Sequence, residues 1–513
     1  MKRMSTIFAL AASAILLASC ADPQPAGIPA ELREIMRAGS EIALPAPHPD
    51  FAEIAAGFLT PNLSAETDAR VAEVVARQTP PGSLAHVGNL RSIEGSAHLS
   101  AFLSHEEIAE EIHFLFDLMR YGYAAYQYFG GDAVFLPLRD SMLECLAEMS
   151  EPLRVADYLS HLLAPALRSA ISDNHFQIHD ITIGALAYVA FMSEEHVVRR
   201  DGGAFSLRID GATYRVLETT LANGARVDGI MPTITRDGEF AFAFGHVAAA
   251  SDRGAWELVA LLEDERTGER HSRVVGLSQL GSYATTSQAR LSPARDVGGV
   301  TVVASRNLQS GRSFADTRRE FFDAGMERRD EPVLIMDLRG NRGGRHEFAQ
   351  SWVEGYASRP PRHEFVFVQH QLESATTVGM LRALNPAPRI VRAPLFRRFF
   401  LPWPREPIPN ENLVIVLMDS RTTSAGEVFV GYLRQLENAL FVGANTHGNF
   451  VCADILRTSL PRSGLSVIFG RHLNLRPDLS QFEGVGFLPD LWVPPGESLE
   501  RVLAFIERYG LNR

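Results

Sequence analysis

The stretch Asp419-Ser420-Arg421-Thr422-Thr423-Ser424-Ala425-Gly426-Glu427 follows an apolar run, Leu413 to Met418. A helical pattern then begins, with Val428, Tyr432, Leu433 and Leu436 along one side. Ser424 therefore stands where a strand hands over to a helix. Two roles suit a serine there. Its spacing to Glu427 is that of a capping box, in which hydroxyl and carboxylate satisfy each other's main-chain N–H groups. The same position puts a hydroxyl nucleophile at the positive end of a helix. The amide of Ala425 then points at any oxyanion formed beside it.

A second apolar run, Val333 to Met336, passes into Asp337-Leu338-Arg339-Gly340-Asn341-Arg342-Gly343-Gly344. Paired glycines let backbone approach a ligand closely, and the amides of Gly343 or Gly344 are candidate oxyanion donors. Such pairs also serve simple tight turns. Two further pieces are Val442-Gly443-Ala444-Asn445-Thr446-His447-Gly448 and Glu483-Gly484-Val485-Gly486-Phe487-Leu488-Pro489-Asp490. Together the four segments resemble the C-terminal processing peptidases, also called tail-specific proteases. The resemblance is specific over about 330–495. It implies a serine-type endopeptidase or carboxyl-terminal processing peptidase, with Ser424 as nucleophile and a protein or peptide as substrate. It implies no cofactor and no metal, and no His-Glu-x-x-His spacing is present.

The common members of that family use a lysine base about 25 residues after the serine. Here that position is Asn449, and Lys2 is the only lysine in the chain. A Ser/Lys dyad is excluded by composition. The resemblance then turns to the family's Ser-His-Glu branch, that of the tricorn core and a chlamydial secreted protease. Ser172-Asp173-Asn174-His175 resembles the branch's Asp-x-His motif, and Glu483 follows Ser424 by 59 residues, near the branch's spacing. On that reading His175 takes the Ser424 proton and Glu483 orients the imidazole. His447, close to the lysine's usual place, is the rival base, and His179 is a neighbour of His175. Arg339 is read as pairing a carboxylate rather than touching substrate.

These residues need a scaffold of several domains. Residues 1–19 form an export signal and 20–30 a tether. Residues 31–200 have a helical texture: Ser104 and Glu107 make a capping box ahead of Ile108, Ile112, Leu115 and Met119. Residues 201–305 are β-rich, with Phe240, Phe242 and Phe244 alternating after the Asp237-Gly238 turn. The family places a PDZ domain here, so a PDZ-like fold is one expectation. No clear carboxylate-binding glycine loop supports it. Residues 306–513 read as an α/β serine peptidase domain, because short apolar runs fit strands buried on both faces. The fold class is thus multidomain α/β, with the site formed between domains.

Composition bounds the partners. A net charge of -12 excludes an electrostatic nucleic-acid binder as the first choice. Lys2 and Arg3 precede a short apolar segment, Ile7 to Leu17, that ends in Leu17-Ala18-Ser19-Cys20. This resembles a bacterial lipobox with Cys20 as the lipidated residue, and implies an exported lipoprotein, periplasmic or anchored to the outer membrane. Cys145 and Cys452 are isolated and show no metal spacing. Two other functions use the same features. One is a non-catalytic lipoprotein that binds peptides or envelope components on a degenerate protease fold. The other is an esterase using the same triad; the Gly-x-Ser-x-Gly elbow of ordinary α/β-hydrolases is missing.

Overall fold

The computed structural model describes residues 27–38, 97–126, 128–184, 187–252, 256–361, 368–370, 407–475 and 483–512. The export signal and Cys20 lie outside them. Among the described residues no helix is long and apolar enough to cross a membrane.

After α1 (Ala30–Ala38), which packs on the α/β part, the helical part begins with α2 (His105–Gly122) and α3 (Gly131–Ala147). The capping box at the start of α2 is formed: Ser104 N donates to Glu107 Oε2 at 3.0 Å, and Glu107 N to Ser104 Oγ at 3.2 Å. Ile108, Ile112, Leu115 and Met119 then fall on one face and are fully buried. A further helical stretch, 155–168, completes the bundle. Strands begin inside the 31–200 span: β1 (Gln177–Ile178) lies just after the loop that carries His175.

Residues 188–279 form an antiparallel sheet of nine strands. Phe242 and Phe244 are buried in its core with Phe191, Val198, Leu207 and Leu258. No α-helix lies within 188–279 among the described residues. This arrangement does not confirm the PDZ-like expectation.

The α/β part is a six-stranded sheet in the order β2 (Arg295–Val297), β3 (Val300–Ala304), β4 (Val333–Asp337), β5 (Leu413–Met418), β6 (Ala439–Gly443), β9 (Leu491–Trp492). The β2–β3 pair is antiparallel and every other neighbour is parallel. Register aligns Ile335, Ile415 and Leu440 across the centre. Every residue of β4 and β5 is buried. Their side chains alternate between two cores. Leu334, Met336, Val414 and Val416 face α4 (Phe314–Met326), α5 (His346–Ala357) and α6 (Ala425–Leu433). Val333, Ile335, Leu413 and Ile415 face α1 and α7 (Ser498–Tyr509). Full burial of each such side chain contributes roughly 1.5–3 kcal/mol, which is why 333–336 and 413–418 carry no polar residue.

One element crosses the linear division into domains. The hairpin of β7 (Cys452–Ser459) and β8 (Ser466–Leu475) leaves the α/β sheet and joins the helical core. Val467 and Ile468 pair with Ile178 and Gln177 of β1. Phe469 packs against Phe176 and edge-on to Tyr123. At the hairpin tip the buried carboxylate of Glu111 in α2 accepts Arg462 N at 2.6 Å and Ser463 N at 2.5 Å. The loop bearing His175 and the loop leaving β6 are thereby held in one packed unit.

Candidate active site

The carboxyl ends of β4, β5 and β6 lie side by side, and each is followed by a loop of polar residues and glycine. In parallel sheets this edge is where binding and catalytic groups gather. Ser424 sits on the turn from β5 into α6, half-buried, with φ 54° and ψ −124°. A non-glycine residue at such a φ costs about 1–3 kcal/mol and persists only when its surroundings over-determine it. They do so here. Ser424 N donates to Glu427 Oε2 at 2.8 Å, and Ser424 O accepts from the amides of Glu427 and Val428. Thr423 N donates to the Asn341 carbonyl at 2.9 Å.

Glu427 is the hub behind the serine. It is fully buried, and besides Ser424 N it accepts Thr446 Oγ1 at 2.7 Å, Gly448 N at 2.6 Å and Asn449 N at 3.0 Å. Burial raises its pKa above the ordinary carboxylate value, against the pull of these hydrogen bonds. One side chain therefore ties the turn after β5 to the loop after β6. Sequence spacing identified Glu427 only as a capping partner of Ser424.

The glycine turn after β4 closes the other side. A Cβ on Gly343 would lie 2.8 Å from Thr423 O and 3.0 Å from Ser424 Cβ, and its φ is +77°. Only glycine allows this approach. The amide of Gly343, however, donates to Asn341 Oδ1 at 2.9 Å, so it is committed in this conformation. This departs from its expected part in an oxyanion hole. Gly344 N and Ala425 N make no hydrogen bond to any described residue. Ala425 N is the first amide of α6, one of the donors a helix leaves open. Asn341 was missed as a site residue: its Nδ2 also reaches Ser305, so it stitches β3, the glycine turn and the serine turn together.

Arg339 is buried and forms a two-bond pair with Asp337, at 2.8 and 2.7 Å, which Arg306 shares. The Tyr283 ring lies 3.9 Å from the Arg339 guanidinium. Burial pushes the Asp337 carboxyl up, but the two guanidinium groups outweigh it and hold its pKa at about 2. This is the carboxylate pairing read from the sequence.

His175 arrives from the helical part, on the loop before β1. Its main-chain N donates to Asp173 Oδ1 at 2.8 Å, and its ring Nδ1 lies 3.9 Å from the same oxygen, buried and without a hydrogen bond. Burial lowers its pKa; Asp173 works against that, and nearby His447 works with it. The adjacent Asn174 reaches Gly448 O through Nδ2 at 3.4 Å. No hydrogen bond joins His175 to Ser424. Catalytic contacts often close only when substrate is bound.

Glu483 is placed differently from the expectation. Its buried carboxylate accepts Asn174 N at 2.6 Å, Phe450 N at 2.7 Å and Val451 N at 2.8 Å. It holds the loop beside His175 and makes no hydrogen bond to the imidazole. Burial, then the charge of Asp173, raise its pKa well above the usual range. His447 Nδ1 lies 3.2 Å from Ser420 O, and His447 N donates to Thr422 O at 2.9 Å. The amide of His179 donates to Ser466 O, at the turn after β1. Asn449, in the lysine position, donates from Nδ2 to Thr423 Oγ1 at 2.9 Å.

The family model for peptidase family S41 matches residues 299–493. That span holds all four motifs as well as the three converging loops. Residues 299–493 are a peptidase family S41 domain. That match supports a serine-type peptidase of the C-terminal processing kind. Three solved structures are similar over 78–79% of this chain. Mature CPAF complexed with lactacystin is 14% identical over 79% of this chain and 97% of that one, with TM-score 0.40. The photosystem II D1 C-terminal processing protease is 16% identical over 78% and 98%, with TM-score 0.32. The tricorn protease is 12% identical over 79% and 37%, with TM-score 0.32. No curated protein sequence matches the chain.

Cys145 is exposed, Cys452 is buried against the site, and the two are not paired. A cavity of about 330 Å³ lies away from Ser424, beside the middle sheet, lined by Met192, His196, Thr233, Arg236, Phe242 and Arg501.

Proposed function

We propose that this protein hydrolyses peptide bonds through an acyl-enzyme on Ser424, with His175 as the base, and that it is an exported lipoprotein anchored through Cys20. The observation that carries the catalytic part is the backbone of Ser424. A non-glycine φ of 54° is held by a buried carboxylate, beside a helix amide with no acceptor among the described residues. Strain of this kind is maintained where a side chain must be presented rather than packed.

Ser424 Oγ attacks the substrate carbonyl and its proton passes to His175. The amides of Ala425 and Gly344 are the donors best placed by chemistry to hold the oxyanion; Gly343 joins them if its bond to Asn341 opens. His175 then protonates the leaving amine, and water repeats the sequence on the acyl-enzyme. A lowered imidazole pKa favours the neutral ring that a base requires. In a Ser-His-Glu triad the imidazole would have to come within hydrogen-bond reach of Glu483, whose carboxylate is held by three amides. The anchor rests on the sequence Leu17-Ala18-Ser19-Cys20.

Labelling of the purified protein with a fluorophosphonate probe tests the catalytic reading. Wild type is expected to label, and Ser424→Ala and His175→Ala are expected not to. An unlabelled wild type overturns the enzyme and leaves a peptide-binding lipoprotein. Labelling that survives His175→Ala but not His447→Ala moves the base to His447. Metabolic labelling with a palmitate analogue, lost in Cys20→Ala, tests the anchor.

A further inference from the structure

We infer that Asp173, rather than Glu483, is the carboxylate that fixes the His175 imidazole for catalysis. The inference rests on His175 being the base.

A histidine base works with its Nδ1 protonated and held, so that Nε2 faces the serine. A carboxylate at Nδ1 selects that tautomer and stabilises the imidazolium formed when the serine proton arrives. Two buried carboxylates stand near His175. Glu483 spends both oxygens on three main-chain amides, which belong to Asn174, Phe450 and Val451. Swinging it to the ring would strip those amides in a buried setting, at about 1–3 kcal/mol for each donor left unpaired.

Asp173 has no such conflict. It is fully buried, and its Oδ2 accepts the Tyr123 hydroxyl at 2.9 Å. The charge of Asp173 adds to burial in raising the pKa of the nearby Cys452 thiol. Tyr123 follows the last turn of α2, so the carboxylate is held from outside its own loop. Its Oδ1 accepts the His175 main-chain amide and stands 3.9 Å from the orphaned ring Nδ1. A shift of about 1 Å closes that gap to an ordinary N–H···O bond, and Oδ1 keeps a lone pair to receive it. The groups facing this pair are Tyr123 from α2, Cys452 from β7, Glu483 and His447.

The bond from the His175 amide to Asp173 Oδ1 is also an Asx-turn, which a purely structural aspartate would make. Asp173→Asn separates the roles, because asparagine keeps the size and the Oδ1 acceptor but loses the charge. In a positioning role, kcat falls about 10²–10⁴-fold with KM little changed. The ¹⁵N signals of His175 lose the Nδ1–H tautomer, and the acid limb of the pH profile moves down. In Glu483→Gln the Nδ1–H tautomer is expected to persist, with the loss seen in thermal stability. Wild-type kcat and tautomer in Asp173→Asn overturn the inference, as does loss of the tautomer in Glu483→Gln alone. If Asp173→Asn does not fold, Tyr123→Phe serves: it removes one donor from the carboxylate and is expected to move the acid limb up, and no movement counts against Asp173. Fluorophosphonate labelling of His175→Ala keeps the two questions apart. Retained labelling there ends the base assignment itself, whereas lost labelling with an unaffected Asp173→Asn ends only the role of Asp173.

Discussion

The buried carboxylate of Glu427 accepts the main-chain N–H of Ser424 at 2.8 Å. The same carboxylate takes the amides of Gly448 and Asn449 and the hydroxyl of Thr446. The nucleophile's conformation and the position of the loop facing His175 are therefore set by one side chain. Glu427→Ala leaves four donors without their acceptor. It is expected to destabilise the protein by about 3–5 kcal/mol and to abolish fluorophosphonate labelling. Thermal unfolding followed beside labelling checks this. A variant that labels normally would mean the Ser424 turn holds itself.

Gly343→Ala tests the close approach of the glycine turn. The added methyl meets Thr423 O at 2.8 Å and must also adopt φ +77°. Displacing the serine turn is expected to lower kcat by at least tenfold, with a stability loss of about 1–3 kcal/mol. Steady-state kinetics on a fluorogenic peptide, read with the melting temperature, gives both. Unchanged kcat would show that the turn can relax without moving Ser424.

The acidity of His175 gives a pH dependence with a definite sign. Burial holds its pKa below the ordinary value of about 6.5, with His447 adding to the effect and Asp173 opposing it. The acid limb of kcat/KM should therefore have its midpoint below about 6.5. Removing the neighbouring positive potential in His447→Ala should raise that midpoint. The folded state binds fewer protons at this site than the unfolded chain. Stability from His175 is thus present above the unfolded pKa and is lost as pH falls toward the folded one. A midpoint above 6.5 would be inconsistent with the buried neutral ring.

Glu111 links the hairpin tip to the helical bundle. Glu111→Ala leaves the amides of Arg462 and Ser463 unpaired beside a buried cavity. A loss of about 2–4 kcal/mol is expected, with hydrogen exchange rising in β7 and β8 before it rises in β4 and β5. Uniform loss of protection across both sheets would argue that the two units open together.

Much of the site could be read from the chain because local geometry leaves local marks. The continuous apolar runs at 333–336 and 413–418 fit strands covered on both faces, and both are wholly buried. The serine three residues before a glutamate sits at the helix start, and the paired glycines form the turn beside it. The absence of lysine after Lys2 excludes a Ser/Lys dyad by composition alone.

Other features depend on contacts between residues far apart in sequence, and no local pattern announces those. The span read as β-rich carried no sign of its helix-free, nine-stranded arrangement, because sheet topology is set by which strands find each other. The hairpin 452–475 looks like part of the peptidase domain along the chain, yet its apolar face is buried in the helical core. Glu483 has the spacing of a triad member, but three amides compete for its oxygens and hold them. Asp173 stands in the sequence only as part of the Asp-x-His motif, and only the fold brings the Tyr123 hydroxyl onto it. The sequence by itself determined a strand–serine–helix junction, a glycine turn and a missing lysine, since each is written in neighbouring residues. Which carboxylates serve Ser424 and His175 was decided by the tertiary structure, because a buried charge takes the donors that packing delivers to it.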